Sequence, residues 1–177
     1  MTSAARSPCG PCCSSGRRAR CLALVDVVAV GPWGTPFFRL VREHAHVFEQ
    51  LPGYIHNALL SAYIATAGRR PLPADTLADL KRPWLGADGQ PAFYRQIAQN
   101  DQRFTDEIEP RYGELDLPVL ILWGREDGWI ATDKAAELRD AIPGAELRVI
   151  EGAGHLVQED APDELIGHLA PWLRSHA

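Results

Sequence analysis

The last third of the chain alternates short apolar runs with helical patterns, and this alternation constrains the fold more than any other feature. The runs "PVLILWG" at 118–124 and "ELRVIEG" at 146–152 are typical of buried strands. Between them, Ala135, Leu138 and Ile142 recur on one face of a helix. Consecutive strands joined by a helix lie parallel, with a right-handed connection. The sequence therefore predicts an α/β fold with a parallel sheet.

A final helix and an earlier strand extend this pattern. The segment "APDELIGHLAPWLRSHA" predicts a helix that Asp160 caps and Pro162 opens. Its inward face is expected to carry four residues, Leu165, Ile166, Leu169 and Trp172. The β-branched run "LALVDVV" at 22–28 predicts a third strand, buried on both faces. We therefore expect about three parallel strands with flanking helices.

Residues 33–115 differ from both ends of the chain because they contain helical patterns and no strand-like run. Helices are predicted at roughly 36–49, 53–67, 74–82, 90–100 and 102–109. This organisation predicts a sheet-containing core made of residues 21–32 and 116–177, interrupted by a helical insertion at 33–115.

The first 20 residues are predicted to form an N-terminal tail that is either disordered or foreign to the rest of the chain. They contain four arginines, no acidic residue, and no Val, Ile, Leu, Phe, Trp or Tyr. Such a segment cannot bury enough apolar surface to offset the entropy of ordering it. "CGPC" at 9–12 matches a redox motif, but no strand or amphipathic helix flanks it, so a redox protein is the least favoured function.

Composition also bears on partners and location. The net charge of −5 disfavours nucleic acid as a partner, because neutralising phosphates requires clustered Lys and Arg. No apolar run reaches the length of a membrane helix. The arginine-rich start resembles a transit or signal peptide only loosely, since Asp26 interrupts the apolar run that follows. We expect a cytoplasmic protein.

Two titratable residues follow neighbouring predicted strands. Asp127 comes three residues after strand 118–124, and His155 comes shortly after strand 146–152. Ligands of open parallel sheets bind at the carboxyl ends of the strands. A carboxylate that accepts a hydrogen bond from an imidazole fixes its tautomer and equips it as a base. Gly152 and Gly154 would allow a tight turn beside the histidine.

The motif "PVLILWGREDGWI", followed by "GAGHLVQEDAPDEL", resembles the C-terminal half of an α/β-hydrolase over residues 21–177. The resemblance implies that the three strands are the sixth to eighth of the family's sheet and that the insertion is the cap over the active site. It further implies that Asp127 is the triad acid and His155 the base. The helical cap is of the type found in epoxide hydrolases, haloalkane dehalogenases and carbon–carbon bond hydrolases.

Other titratable residues are weaker candidates than these two. Glu126 adjoins Asp127, but the family pattern favours the second position. Asp26 could be a substitute acid, because some relatives carry theirs after that strand, although a structural carboxylate is favoured. His44 and His46 do not share a helix face, so a metal site is not expected. We expect His56, His168 and His176 to lie at the surface.

The family's nucleophile lies in a G-x-S-x-G elbow between a strand and a helix, and this sequence has none. None of the six serines follows a strand, and Asp88 falls inside the helical insertion. We therefore expect the C-terminal half of a longer hydrolase, inactive alone. An inactive relative with an alternative N-terminus is the rival interpretation.

The expected function follows from the resemblance: hydrolysis of a small, largely apolar substrate without a metal or organic cofactor. Five aromatic residues are candidates for lining its pocket, namely Trp33, Phe37, Phe38, Tyr94 and Trp129. A non-catalytic ligand-binding or interaction protein built on this fold is the alternative. The free edge of strand 22–28 makes self-association possible.

Overall fold

The structure is a computed structural model that describes residues 19–176. The tail predicted for residues 1–20, including the "CGPC" motif, therefore lies almost entirely outside the described residues. Three strands form one parallel sheet in the order β1-β2-β3. Their bounds are Leu22–Val25 for β1, Val119–Gly124 for β2 and Glu146–Ile150 for β3. The predicted α/β class and the three parallel strands are confirmed.

All three strands are shorter than predicted, β2 by one residue and the other two by two or three. β1 ends before Asp26, whose φ of 41° lies in the left-handed region and cannot continue a strand. β3 ends before the turn at Gly152, whose φ is 73°. Both turns redirect the chain at the carboxyl edge of the sheet, where polar side chains then lie.

Eight α-helices surround the sheet in the described part of the chain. Their bounds are Pro36–Glu49 (α1), Gly53–Ala65 (α2), Ala74–Lys81 (α3), Gly86–Gln99 (α4), Arg103–Ile108 (α5), Thr132–Ala141 (α6), Val157–Asp160 (α7) and Pro162–His176 (α8). The first five, together with two short 3₁₀ turns, occupy residues 33–115, which we call the helical segment. α1 matches its prediction residue for residue, whereas α4 begins four residues early.

The early start of α4 has a packing reason. Gly89 lies in its first turn, where a Cβ would meet the Trp84 carbonyl carbon at 2.5 Å and the Pro83 oxygen at 2.6 Å. The missing side chain lets α4 lie directly against the preceding turn, and this contact is invisible in a sequence pattern that reads "GADG" as a loop.

β2 is buried along its whole length and separates two cores. Its odd-numbered residues, such as Ile121, pack with Leu138 of α6 and with Ile142, which follows that helix. Its even-numbered residues, such as Leu122, pack with Trp172 of α8. This alternation follows from the two-residue period of a strand, and the predicted inward face of α6 is confirmed.

The final helix departs from the prediction at two residues. Ile166 is 60% exposed, so it does not face inward with Trp172. Asp160 ends α7 and does not cap α8; its carboxylate accepts hydrogen bonds from the backbone of Gly154 and Arg69. The partners of Asp160 come from distant segments, which explains why a local capping pattern misassigned it.

The helical segment has a third core of its own. Val41, Leu60, Phe93, Tyr94 and Ile97 are buried together, and aromatic rings pack around them. Residues 33–115 thus bury apolar surface independently of the sheet. Within residues 19–176, no helix is long and apolar enough to span a membrane.

We predict that Gly124→Ala destabilises the protein by about 2 kcal/mol or more, because overpacking at a backbone contact cannot be relieved by a side-chain movement. A Cβ at Gly124 would lie 2.3 Å from the Gly154 oxygen and 2.6 Å from the Ala153 oxygen. Urea unfolding measures the change. Gly113→Ala is the matched control, since its Cβ would meet nothing within 4 Å. Equal stabilities for the two variants would contradict the contact.

Candidate active site

Asp127 and His155 lie together at the carboxyl edge of the sheet. The Nδ1 atom of His155 is 2.9 Å from Oδ2 of Asp127, although 28 residues separate them. The other oxygen of Asp127, Oδ1, accepts the backbone N–H groups of Trp129 at 2.8 Å and Ile130 at 2.9 Å. Three hydrogen-bond donors therefore hold one buried carboxylate, which fixes its orientation toward the imidazole.

Two backbone hydrogen bonds bring the loops of this pair together. The N–H of Arg125 donates to the Ile150 oxygen, and the N–H of Glu126 donates to the Ala153 oxygen, both at 2.9 Å. They continue the pairing of β2 and β3 beyond the strands. Glu126, the competing acid, is exposed and is not the partner of His155.

The ring of His155 is stacked as well as hydrogen-bonded. The Trp129 ring lies over it, with centroids 4.8 Å apart and planes inclined by 33°. Trp129 in turn stacks on Tyr63 at 4.8 Å and donates its Nε1–H to Oγ1 of Thr66 at 2.9 Å. Because Nδ1 is engaged by Asp127, Nε2 is the ring nitrogen available to a bound molecule.

A large cavity adjoins His155. Its volume is about 910 Å³, and its walls come from both the sheet edge and the helical segment. Aromatic residues dominate the walls, namely Trp33, Phe37, Phe38, Tyr63, Phe104 and Trp129. Burial raises the pKa of Tyr63 to about 12, so its hydroxyl stays neutral. The cavity is suited to a small, largely apolar ligand.

Four of the five predicted pocket residues line this cavity, and Tyr94 does not. Trp33, Phe37, Phe38 and Trp129 form part of its walls. Tyr94 is completely buried in the core of the helical segment, so its predicted place in the pocket is wrong. The periodicity of α4 marks Tyr94 as an inward residue but cannot distinguish a core from a cavity.

The partner of Tyr94 is a histidine that the sequence placed wrongly at the surface. His56 is only 1% exposed. Its Nδ1 lies 2.9 Å from the Tyr94 hydroxyl, and its Nε2 donates to the Trp84 oxygen at 2.8 Å. Both ring nitrogens are thus satisfied inside an aromatic core, a pairing between α2 and α4 that no local pattern signals.

Sequence reasoning gave Thr35, Thr66 and Thr105 no place in the site, yet all three line the cavity. Oγ1 of Thr105 accepts the Nε1–H of Trp33 at 2.8 Å, as Thr66 does for Trp129. Threonines that pair with tryptophans across 63 or 72 residues leave no local signal. In the described residues, no group of three His, Cys, Asp or Glu side chains could hold a metal ion.

Asp26 is a third acid at the sheet edge. Its side chain is buried, Oδ1 accepts the Gly124 N–H at 2.8 Å, and buried Oδ2 has no hydrogen-bond partner among the described residues. Burial raises the pKa of Asp26 to about 7; the charge of Asp127 adds to this rise, and the Gly124 N–H opposes it. Its hydrogen bond ties the end of β1 to the end of β2, which supports a structural role.

We predict that Asp26→Asn removes part of the pH dependence of stability. Because the folded pKa lies above the ordinary 3.8, the folded protein holds this proton more tightly, and the resulting stability is complete below about pH 4 and lost as pH rises to about 7. The variant should lie close to the wild type near pH 4 and exceed it by up to about 4 kcal/mol at pH 8. Chemical unfolding at both pH values checks this. Parallel pH profiles for the two proteins would contradict it.

Comparison with known proteins places this geometry in a family. The model of the Alpha/beta hydrolase family matches residues 4–168. Among curated proteins, 2-hydroxy-6-oxononadienedioate/2-hydroxy-6-oxononatrienedioate hydrolase 1 of Dechloromonas aromatica is 36% identical over 72 residues, which is 41% of this chain and 25% of that protein. Epoxide hydrolase 1 of Caenorhabditis elegans is 29% identical over 84 residues, which is 48% of this chain and 19% of that protein.

A solved structure is similar over more of the chain. An alpha/beta hydrolase fold protein from Burkholderia ambifaria is 45% identical with a TM-score of 0.81, covering 89% of this chain and 58% of that one. The match therefore spans less than two thirds of the Burkholderia ambifaria protein, and the alignments span a quarter or less of the two curated relatives. Since the family model extends over nearly the whole chain, the chain belongs to the alpha/beta hydrolase family.

Proposed function

We propose that this chain supplies the acid and the base of a hydrolytic site for a small, largely apolar substrate, with Asp127 as the acid and His155 as the base. The observation that carries the proposal is the 2.9 Å contact between His155 Nδ1 and Asp127 Oδ2 beside an aromatic cavity. Nε2 of His155 would accept the proton of an attacking hydroxyl and return it to the leaving group. Asp127 would stabilise the imidazolium formed between these steps.

A serine nucleophile for this proposal is not found at the cavity among residues 19–176. Ser61 and Ser175 are the serines in that range, and neither lines the cavity. Ser61 lies on α2, where its hydroxyl donates to the Asn57 oxygen at 2.8 Å and accepts from Lys81 Nζ at 2.8 Å. We therefore expect the described residues to bind a substrate without turning it over.

The helical segment has the role of a cap in this proposal. Residues of α1, α2 and α5 line the cavity opposite the sheet edge, and most of their side chains there are apolar. Such walls exclude water and strengthen the electrostatic interactions of a base with its substrate. A neutral ester or ketone with an aromatic or short aliphatic group fits this environment.

Ligand binding without turnover is the second candidate function. Two of the threonine hydroxyls that line the cavity have other partners, since Oγ1 of Thr66 donates to the Tyr63 oxygen at 2.7 Å and Oγ1 of Thr105 accepts from Trp33. A cavity in which these two hydroxyls are engaged elsewhere is compatible with a binding protein. The two candidates differ in whether His155 moves a proton.

We predict that added ethanol supplies the missing nucleophile. With p-nitrophenyl butyrate and ethanol, the chain should form ethyl butyrate at least about tenfold faster than its His155→Ala variant, because a positioned base accelerates such transfers. Ethanol gives its proton to Nε2 as it attacks, and p-nitrophenol leaves. Gas chromatography of ethyl butyrate measures the rate. Equal rates for the wild type and His155→Ala would contradict the assignment of His155 as a base and would favour a ligand-binding protein.

We predict that a carboxylate introduced on the apolar α2 wall of the cavity weakens ligand binding. Leu59 lines the cavity, whereas Leu40 of α1 is 47% exposed and does not line it. Leu59→Asp should weaken the binding of 4-phenyl-2-butanone at least about tenfold, since an aromatic cavity does not solvate a carboxylate. Quenching of tryptophan fluorescence reports binding, because Trp33 and Trp129 line the walls. Leu40→Asp is the control, and an equal loss in both variants would place the ligand elsewhere.

A further inference from the structure

Two distant segments are in backbone contact behind His155. One is 66–69, at the end of α2, and the other is 153–156, which we call the histidine loop. The N–H groups of His155 and Leu156 both point to the Ala67 oxygen, at 2.8 and 3.3 Å. A Cβ at Gly154 would lie 2.8 Å from both the Ala67 oxygen and the Arg69 nitrogen. The two backbones are therefore as close as a glycine allows.

A carboxylate joins the same two segments. Oδ2 of Asp160 accepts the N–H of Gly154 at 2.9 Å and the N–H of Arg69 at 2.7 Å. Hydrogen bonds from N–H groups to an ionised carboxylate are stronger than neutral ones. Asp160 itself is half-buried at the end of α7 and lies away from the cavity walls. Its side chain touches the histidine loop and the helical segment at once.

The ring of His155 is connected to the end of α2 by a separate route. Trp129 stacks on the ring and donates to Oγ1 of Thr66, the residue that follows α2. Leu59 and Tyr63, within one to two turns of that residue, line the cavity. The end of α2, a helix that lines the cavity, is thus joined both to the backbone of the histidine loop and to Trp129, which stacks on the His155 ring.

We propose that Asp160 is a positioning residue for His155, holding the histidine loop against the end of α2 so that the orientation of the imidazole follows the position of that helix. A ligand that shifts α2 through Leu59 or Tyr63 therefore changes the geometry of His155. The catalytic value of this coupling rests on the proposed function, in which His155 is the base. The coupling itself depends only on the contacts above.

Asp160→Ala tests the proposal with readouts that need no substrate. Loss of the carboxylate should speed amide hydrogen exchange at Gly154 and Arg69 at least about tenfold, because each N–H loses a charged acceptor. The imidazole resonances of His155 should broaden or shift in the same variant. Asp160→Asn should restore both, since one amide oxygen can accept both N–H groups. Glu159→Ala, at the exposed neighbouring position, is the matched control.

Two results would overturn the proposal. One is unchanged exchange at Gly154 and Arg69 with unchanged His155 resonances in Asp160→Ala. The other is an equal acceleration at core amides such as that of Leu122, which would show only a loss of global stability. If Asp160→Ala does not fold, Thr66→Val removes the acceptor of Trp129 and the hydroxyl's hydrogen bond to the Tyr63 oxygen, and it leaves Asp160 in place. This variant should shift the His155 resonances without changing exchange at Gly154, and unchanged resonances would count against the coupling.

The same samples separate this proposal from the proposed function. Suppose that Asp160→Ala perturbs His155 but the wild type transfers no butyryl group to ethanol. The coupling would then stand, and the assignment of His155 as a base would be rejected. Suppose instead that the wild type and Asp160→Ala transfer the butyryl group at the same rate and that His155 is unperturbed. The assignment of His155 as a base would then stand, and the positioning role of Asp160 would be rejected.

Discussion

The backbone contact between the carboxyl ends of β2 and β3 is the constraint on which the rest of the site depends. Gly124 approaches the Gly154 oxygen so closely that no side chain fits between them. Hydrogen bonds from Arg125 and Glu126 to the opposite loop hold this approach. Asp127 and His155 follow directly on either side, so their side chains meet within hydrogen-bonding distance. The sheet thereby converts a separation of 28 residues into one fixed contact.

The site also requires an apolar wall beside the imidazole, and the helical segment supplies it. Its own buried core allows α1 and α2 to hold aromatic side chains over the sheet edge. Asp160 and Thr66 then join the end of α2 to the histidine loop and to Trp129. In the proposed function, proton transfer would benefit from both a fixed base and an apolar cavity, and the same contacts would hold the two together.

Much of this architecture could be predicted from local patterns. The uniform burial of β2 and the helical periods of α1 and α6 are properties of short segments, so their strands and helices were predicted closely. The pairing of Asp127 with His155 followed from a family motif and from the rule that parallel strands end at one edge. The first depends on the period of one element, and the second depends on two short motifs that each follow one strand.

The rest depends on contacts between distant segments. The burial of His56 depends on the Tyr94 hydroxyl and the Trp84 oxygen, and a histidine pattern alone cannot reveal such partners. Asp160 sits where a helix cap is expected, but two distant N–H groups provide its partners. Ile166 has the spacing of an inward residue, yet α8 presents it to solvent. Periodicity predicts which face of a helix is apolar, whereas tertiary packing decides whether that face contacts a core, a cavity or solvent.

The measurement that tests this account most directly is the tautomer of the His155 imidazole, determined from its ¹⁵N chemical shifts by nuclear magnetic resonance. The 2.9 Å contact with Asp127 predicts that the neutral form of the ring carries its proton on Nδ1 and has Nε2 unprotonated. Asp127→Ala should remove this preference for one tautomer. A wild-type ring with its proton on Nε2 would contradict the assignment of His155 as a base oriented by Asp127.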